Sequence, residues 1–127
     1  MTVAIADTTV VVHLYRRYAP ALAWYGLLSQ PLSITSITWM EVMYGAGSKA
    51  KQTACKTLLG QFKLIHLTSI DQQWAMLQIE KYQLSHGIAT GDCFIASVAN
   101  RLQMPPYTHN LKDMTPMLGN LAVKPYT

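Results

Sequence analysis

The sequence predicts an α/β fold with a mainly parallel sheet. Short β-like runs alternate with helical stretches along the whole chain, the pattern of strand–helix–strand units. No internal repeat, low-complexity tract or linker interrupts the alternation. At 127 residues the chain fits one compact domain, 1–127, large enough to fold without a metal or a disulfide.

Val3-Ala4-Ile5-Ala6 is an apolar run suited to a first buried strand. Asp7-Thr8-Thr9 breaks it. Asp and Thr cap helices well, and a strand of about a dozen residues is improbable. Residues 9–17 therefore read as a helix in spite of Val10, Val11 and Val12. Pro20 in the first turn opens a second helix over 19–29. Residues 32–36 alternate as a second strand. Helices come next over 38–46, carrying Glu41, and over 49–60, rich in cations; a third strand spans 62–67. Ser69-Ile70-Asp71-Gln72 has the form of a capping box. Its helix runs to about Ser85, with Ile70, Trp74, Leu77 and Leu84 on one face and His86-Gly87 as the stop. Thr90-Gly91-Asp92 opens a helix whose Phe94, Ile95, Val98, Ala99 and Leu102 form a packed stripe. Residues 105–109 read as a strand weakened by two prolines, 110–117 as a turn or short helix, and 121–124 as a last edge strand.

Half of the residues are apolar and 13% are charged, a globular balance that excludes a disordered chain. No stretch approaches the roughly 18 apolar residues of a membrane span, and no Lys or Arg precedes the first apolar run as in a secretory signal. A cytoplasmic protein is expected, with Cys55 and Cys93 as buried, reduced thiols.

Ten Lys and Arg against six Asp and Glu give a net charge of +4, a mild bias toward an anionic partner. Asp71 and Glu80 fit an exposed helix. Asp7, Glu41, Asp92 and Asp113 instead lie in apolar or small-residue segments, where an unpaired carboxylate is costly. Gathered together, they would form an acidic pit within a basic shell. Ligand sites in open parallel sheets collect at the carboxyl ends of strands, where Asp7, Asp92 and Asp113 would all lie. Crowded carboxylates repel, and a hard divalent cation removes that penalty. Such an ion also activates water for attack on phosphorus. Taken singly, Asp7 could be a helix cap, Asp92 a first-turn dipole partner and Asp113 a surface acid. Glu41, flanked by Trp39, Met40, Val42, Met43 and Tyr44, is the hardest to explain without a cation.

Four segments in order resemble the PIN-domain family, specifically the VapC-type toxins of bacterial toxin–antitoxin pairs. Ala6-Asp7-Thr8-Thr9-Val10 resembles D-T-N-V, and Ile37 to Ala46 resembles T-x-x-E-x-x-Y-G-A. Asp92 to Ala99 resembles D-x-x-I-A-A-x-A, and Thr108 to Met114 resembles T-x-N-x-x-D-F. The resemblance implies a PIN-like three-layer α/β/α sandwich around a mainly parallel sheet of four to five strands. It implies endonucleolytic cleavage of RNA with Mg²⁺ or Mn²⁺, a homodimer, and a cognate antitoxin that blocks the site. By position, Asp7, Glu41, Asp92 and Asp113 are then the catalytic, metal-holding acids, with Thr8 and Asn110 in support. Thr9 stands where the family has Asn, and Met114 where it has Phe. A PIN domain that binds RNA or a protein without cutting is the alternative that Thr9 raises. A phosphatase or receiver domain also places an Asp after its first strand, but Asp7-Thr8-Thr9 lacks the second acid expected two residues on. His109 reads as a structural or surface residue, with contact to RNA as the lesser alternative. Trp24, Trp39, Met40, Met43 and Tyr44 read mostly as core, with the lining of the antitoxin groove or a dimer face as the alternative; Lys49, Lys51, Lys56 and Lys63 read as a solvated face or an aid to steering phosphates.

Overall fold

The computed structural model describes residues 4–127; Val3, expected in the first strand, lies outside the described residues. The strands are β1 (Ile5–Ala6), β2 (Ser33–Thr35), β3 (Lys63–Ile65) and β4 (Pro106–Tyr107). They form one sheet in the order β3-β2-β1-β4, and every pairing is parallel. The helices are α1 (Thr8–Tyr15), α2 (Ala19–Gly26), α3 (Ser36–Gly45), α4 (Lys49–Leu59), α5 (Ser69–His86), α6 (Thr90–Leu102) and α7 (Leu111–Leu118).

Side chains alternate across a strand, so a buried sheet feeds two cores. Ala4, Ala6 and Ile34 pack with Val10, Val11 and Leu14 of α1, Ala21 of α2, Val42 of α3 and Leu59 of α4. Ile5 faces the other way, onto Ile95, Val98 and Ala99 of α6 and Met114 of α7. The result is the expected three-layer α/β/α sandwich. The valines of α1 are helical because Val10 and Val11 are wholly buried, and packing outweighs their small helix penalty.

The prolines at 105 and 106 do not break β4. The Pro105 carbonyl accepts the Ile5 amide at 3.0 Å, and the Pro106 carbonyl accepts the Val123 amide at 3.0 Å. The expected fifth strand over 121–124 is reduced to a single bridge between Tyr107 and Val123, preceded by a 3₁₀ turn at Gly119–Leu121.

Three expectations about α5 need correction. Its capping box lies one residue earlier, with Thr68 as cap and Asp71 as its reciprocal partner. The face bearing Ile70, Leu77 and Leu84 points to solvent, at 68%, 61% and 96% exposure, while Asp71 and Ala75 are buried. Thus Asp71 is not a solvated first-turn acid. Its Oδ1 accepts from Arg101 Nε at 2.8 Å and its Oδ2 from the Thr68 amide at 2.9 Å, tying α5 to α6. Burial works to raise the Asp71 carboxyl, but Arg101 and Thr68 outweigh it and hold it below its usual value. Gly87 ends α5 in the left-handed region, with φ at 63°. Met40 and Tyr44 of α3, expected in the core, are 51% and 94% exposed. Cys55 and Cys93 are free and buried, as expected.

Replacing Asp71 by Asn removes one charge of a pair whose Arg side chain is 33% exposed. The loss should therefore fall below that of a fully buried pair, at about 1–3 kcal/mol at pH 7. A carboxyl held below its unfolded value stabilises above that value and stops doing so as it protonates. The gap between Asp71→Asn and wild type should accordingly close below about pH 4, which urea unfolding at pH 7 and pH 3 will measure.

Candidate active site

Adjacent parallel strands deliver the residues just after them to one edge of the sheet, and here β1 and β4 deliver Asp7 and Thr108. Asp7 occupies the N-cap position of α1, yet its side chain caps nothing. Thr108 Oγ1 donates to Asp7 Oδ2 at 2.7 Å, and Thr9 Oγ1 donates to the same oxygen at 3.1 Å. The other oxygen, Oδ1, is buried and has no hydrogen-bond partner. Burial raises the Asp7 carboxyl above its usual value even though both hydroxyls work against it.

Thr108 Oγ1 also accepts the Asn110 amide at 2.8 Å. Asn110 caps α7 by position, and its Nδ2 donates to Asp92 Oδ2 at 2.7 Å. Asp92 lies in the first turn of α6. Burial first, then a hydrogen bond with Asp113 and the charges of Asp7 and Asp113, push it up to about 8. Asp113 itself is only 4% exposed, not the surface acid that its loop position suggested. Its Oδ2 accepts the Ala89 amide at 3.0 Å, and Lys112 Nζ lies 3.4 Å from its Oδ1. Burial opposes ionisation of Asp113, but Asp92, Ala89 and Lys112 prevail and hold it low. Asp92 is thus pushed up and Asp113 held down, each by the other's presence.

Glu41 departs most from expectation. It is exposed rather than enclosed by apolar side chains, because the helix turns its neighbours to different sides. Val42 goes into the core and Met40 outward. Its anchor is polar: Thr8 Oγ1 donates to Oε1 at 2.7 Å, and Thr38 Oγ1 stands 3.0 Å from Thr8 Oγ1. With the Thr8 proton committed to Glu41, Thr38 is the donor of that second bond. Glu41 Oε2 lies against Gly91, where a Cβ would sit 2.7 Å from it.

The structure thus brings Asp7, Asp92 and Asp113 within electrostatic reach of one another and seats Glu41 against the turn that opens α6. It does not close them into a cage: among the described residues, no group of three His, Cys, Asp or Glu is arranged to hold an ion unaided. Thr8 donates to Glu41 and Asn110 to Asp92. Sequence reasoning missed Thr108, Thr38 and Gly91. Both threonines stand inside the quoted motifs and are wholly buried, whereas Gly91 carries no signal beyond a helix start. Thr9 takes over a bracing role, since it donates to Asp7 and accepts the His109 amide at 3.1 Å. His109 is structural, its ring 4.4 Å from that of Tyr126 and 4.7 Å from that of His13.

A parallel α/β sandwich with buried acids at its strand ends defines a class of domain built around a carboxylate centre. Within that class the chain belongs to the PIN domain family, whose profile matches residues 4–109. Asp113 lies beyond the matched stretch. No curated protein matches the sequence. Among solved structures, a toxin–antitoxin complex from Klebsiella pneumoniae contains a chain 24% identical to this one. The likeness covers 97% of this chain and 98% of that chain, with a TM-score of 0.79. A DNA-bound VapBC from Salmonella typhimurium is similar at 21% identity, 94% and 95% coverage and a TM-score of 0.76. FitAcB from Neisseria gonorrhoeae is also 21% identical, with 94% and 95% coverage and a TM-score of 0.71. At these identities the three structures establish a shared fold.

Without a cation, the acids should make the protein less stable as the pH rises. A carboxyl whose folded value lies above its unfolded value stabilises fully below the unfolded one, and that contribution is lost as pH climbs through the folded one. For Asp92 the window runs from about 4 to about 8. In EDTA, wild type should lose more than about 1 kcal/mol of stability between pH 5 and pH 9 relative to Asp92→Asn; paired denaturation curves at the two pH values give the difference.

Proposed function

We propose that this chain is a single-domain, metal-dependent endoribonuclease that acts in the cytoplasm as the toxin of a toxin–antitoxin pair. The observation that carries this reading is the buried, unpartnered Asp7 Oδ1 beside Asp92, which burial first and the neighbouring acids second push up to about 8. An anionic oxygen buried without a donor is costly, and a hard divalent ion is the ligand that relieves both groups at once. Mg²⁺ characteristically keeps several waters and takes only one or two protein carboxylates, so an uncaged cluster suits it. The acids that would hold Mg²⁺ or Mn²⁺ are drawn from Asp7, Asp92, Glu41 and Asp113, one or two of them directly and the others through its waters. Such an ion supplies a more acidic bound water and neutralises charge on the phosphate.

The rest of the work falls to the chain's own groups. Thr108 and Thr9 occupy one oxygen of Asp7 and leave the other open. Asn110 orients Asp92, and the Thr38–Thr8 pair orients Glu41. Asp113 anchors the start of α6 through Ala89. The hydroxyls of Thr8, Thr9 and Thr108 serve to hold Glu41 and Asp7 in place, and burial with Asp92 and Asp113 pushes the Cys93 thiol up to about 11. In this reading water is the attacking group. The Lys and Arg residues are all exposed, which favours a polyanionic substrate.

The similar solved structures include a toxin–antitoxin complex and VapBC pairs. By analogy we assign this chain a cognate antitoxin and a homodimeric state. Among the described residues no helix is long and apolar enough to cross a membrane. The alternative, a PIN domain that binds RNA or a protein without cutting, rests on Thr9 standing where the family has Asn.

Cleavage separates the readings. Asp7→Asn and Asp92→Asn should each lower RNA cleavage by at least about a hundredfold and relieve growth inhibition, with circular dichroism unchanged; activity retained in both would sink the nuclease reading. Millimolar Mn²⁺ should raise the melting temperature of wild type and not of Asp7→Asn. Gly91→Ala, which displaces Glu41 Oε2 without replacing any acid, should cut activity about tenfold or more while preserving the fold, since ångström-scale misplacement costs on this order.

A further inference from the structure

Away from the acids, His13 of α1, Tyr18, His109 and Tyr126 form one aromatic cluster. The Tyr126 hydroxyl is 2.8 Å from His13 Nδ1, and its ring centroid is 4.4 Å from that of His109. Burial and nearby Tyr18 push the Tyr126 phenol up to about 12, so it stays protonated and neutral. The His109 ring lacks such an anchor: its Nε2 is buried and has no hydrogen-bond partner. Packing places it, against His13 at 4.7 Å and against the nearer Tyr126.

Where His109 sits matters for Asp7. Its backbone amide donates to Thr9 Oγ1 at 3.1 Å, and that hydroxyl donates to Asp7 Oδ2 at 3.1 Å. Asn carries separate donor and acceptor atoms, whereas a threonine must do both with one oxygen. The aim of the Thr9 proton therefore depends on the amide that Oγ1 accepts. Bonds between oxygens centre on about 2.7–2.8 Å, so the Thr9 brace is long, while that from Thr108 is 2.7 Å. Thr108 is also held separately, since its amide donates to the Val123 carbonyl at 2.9 Å. Of the two braces on Asp7, Thr9 is the one that a shift of His109 would release.

We propose that Tyr126 is a positioning residue for Asp7, acting through the ring of His109 and the hydroxyl of Thr9. Packed on His109, it keeps the amide aimed at Thr9 Oγ1. That bond turns the hydroxyl proton toward Oδ2 and leaves Oδ1 open. Tyr126 lies outside the residues that match the family profile. The assignment rests on the reading of Asp7 as a metal-holding acid and adds a support from beyond the acidic cluster.

The test uses full-length protein and two readouts: Mn²⁺ affinity by electron paramagnetic resonance, and exchange of the His109 amide in EDTA by NMR. Tyr126→Ala should raise the Kd for Mn²⁺ at least about threefold, one remove from the tenfold or more that losing a direct support of a metal ligand brings. Tyr126→Phe keeps the ring on His109 and should bind Mn²⁺ as wild type does. In a Thr9→Val background, with no hydroxyl left to aim, Tyr126→Ala should change the Kd by less than about 1.5-fold. An equal effect with and without Thr9, or Tyr126→Phe as weak as Tyr126→Ala, would overturn the proposal. In EDTA the His109 amide should exchange at least about tenfold faster in Tyr126→Ala than in wild type. The Lys63 amide, which donates to Leu32 at the far strand, should keep its wild-type rate. If Tyr126→Ala does not fold, Tyr126→Leu, which keeps apolar cover without a ring, carries the same expectations. Wild type that binds no Mn²⁺ would sink the metal-dependent reading, and amide exchange would then decide on Tyr126 alone. A His109 rate left unchanged, or raised equally at Lys63, overturns the link.

Discussion

Taking an aspartate out of water while leaving one of its oxygens without a donor is costly, and the arrangement at the strand ends depends on Asp7 being held that way. Two hydroxyls, from Thr108 and Thr9, converge on Oδ2, and none reaches Oδ1. They come from opposite ends of the sequence, so the parallel neighbours β1 and β4 must be in register before Asp7 is fixed. The pairing of Ile5 with Pro106 and of Ala6 with Tyr107 sets that register. A strand of two residues is ordinarily weak. Buried between α-helical layers, β1 and β4 need only align Asp7 and Thr108, the residues at their carboxyl ends.

The same reciprocity runs through the neighbouring groups. Thr108 gives its proton to Asp7 and accepts from the backbone of Asn110, whose side-chain amide donates to Asp92. Asp113 reaches Asp92 from α7 and holds the Ala89 amide at the start of α6. Each polar side chain thus fixes one acid and is fixed by another element. Meanwhile the surface is left basic. Arg101 is committed to Asp71 and Lys112 to Asp113, but the segment from Lys49 to Lys63 carries exposed cations without acids in salt-bridge range among the described residues. Separation of sign between pit and shell draws polyanions toward the acids only if the negative charge there is partly neutralised, which again asks for a bound divalent ion.

The fold was largely legible because its signals are local. Apolar runs of strand length, capping residues and helix-period stripes placed every helix and four strands to within a few residues. Errors arose where tertiary context decides. Residues 121–124 looked like a strand, but only Val123 finds a partner across the sheet. Ile70, Leu77 and Leu84 keep helical spacing, yet α6 packs against the adjacent face of α5, where Asp71 and Ala75 lie. Asp71 shows the limit clearly, since its partner Arg101 is thirty positions away. The acids were found as residue types in apolar settings, whereas their supports were not. A buried threonine has no distinguishing neighbourhood in sequence, and Thr108 and Thr38 acquire their roles only when separate segments meet.

Glu41 shows how position on a helix changes the meaning of an acid. Its apolar neighbours in sequence suggested burial, but α3 turns Val42 into the core and presents Glu41 outward. There it touches Thr8 on one side and Gly91 on the other. Among the four acids it alone is exposed; Asp7 and Asp113 are sealed, and Asp92 is partly covered. Glu41 is therefore the acid that solvent reaches most freely. The hydroxyl of Thr8, seated directly after Asp7 in the chain, couples this outer acid to the inner one. The site is thus graded from a solvent-facing carboxylate on α3 to a buried, half-satisfied one at the start of α1.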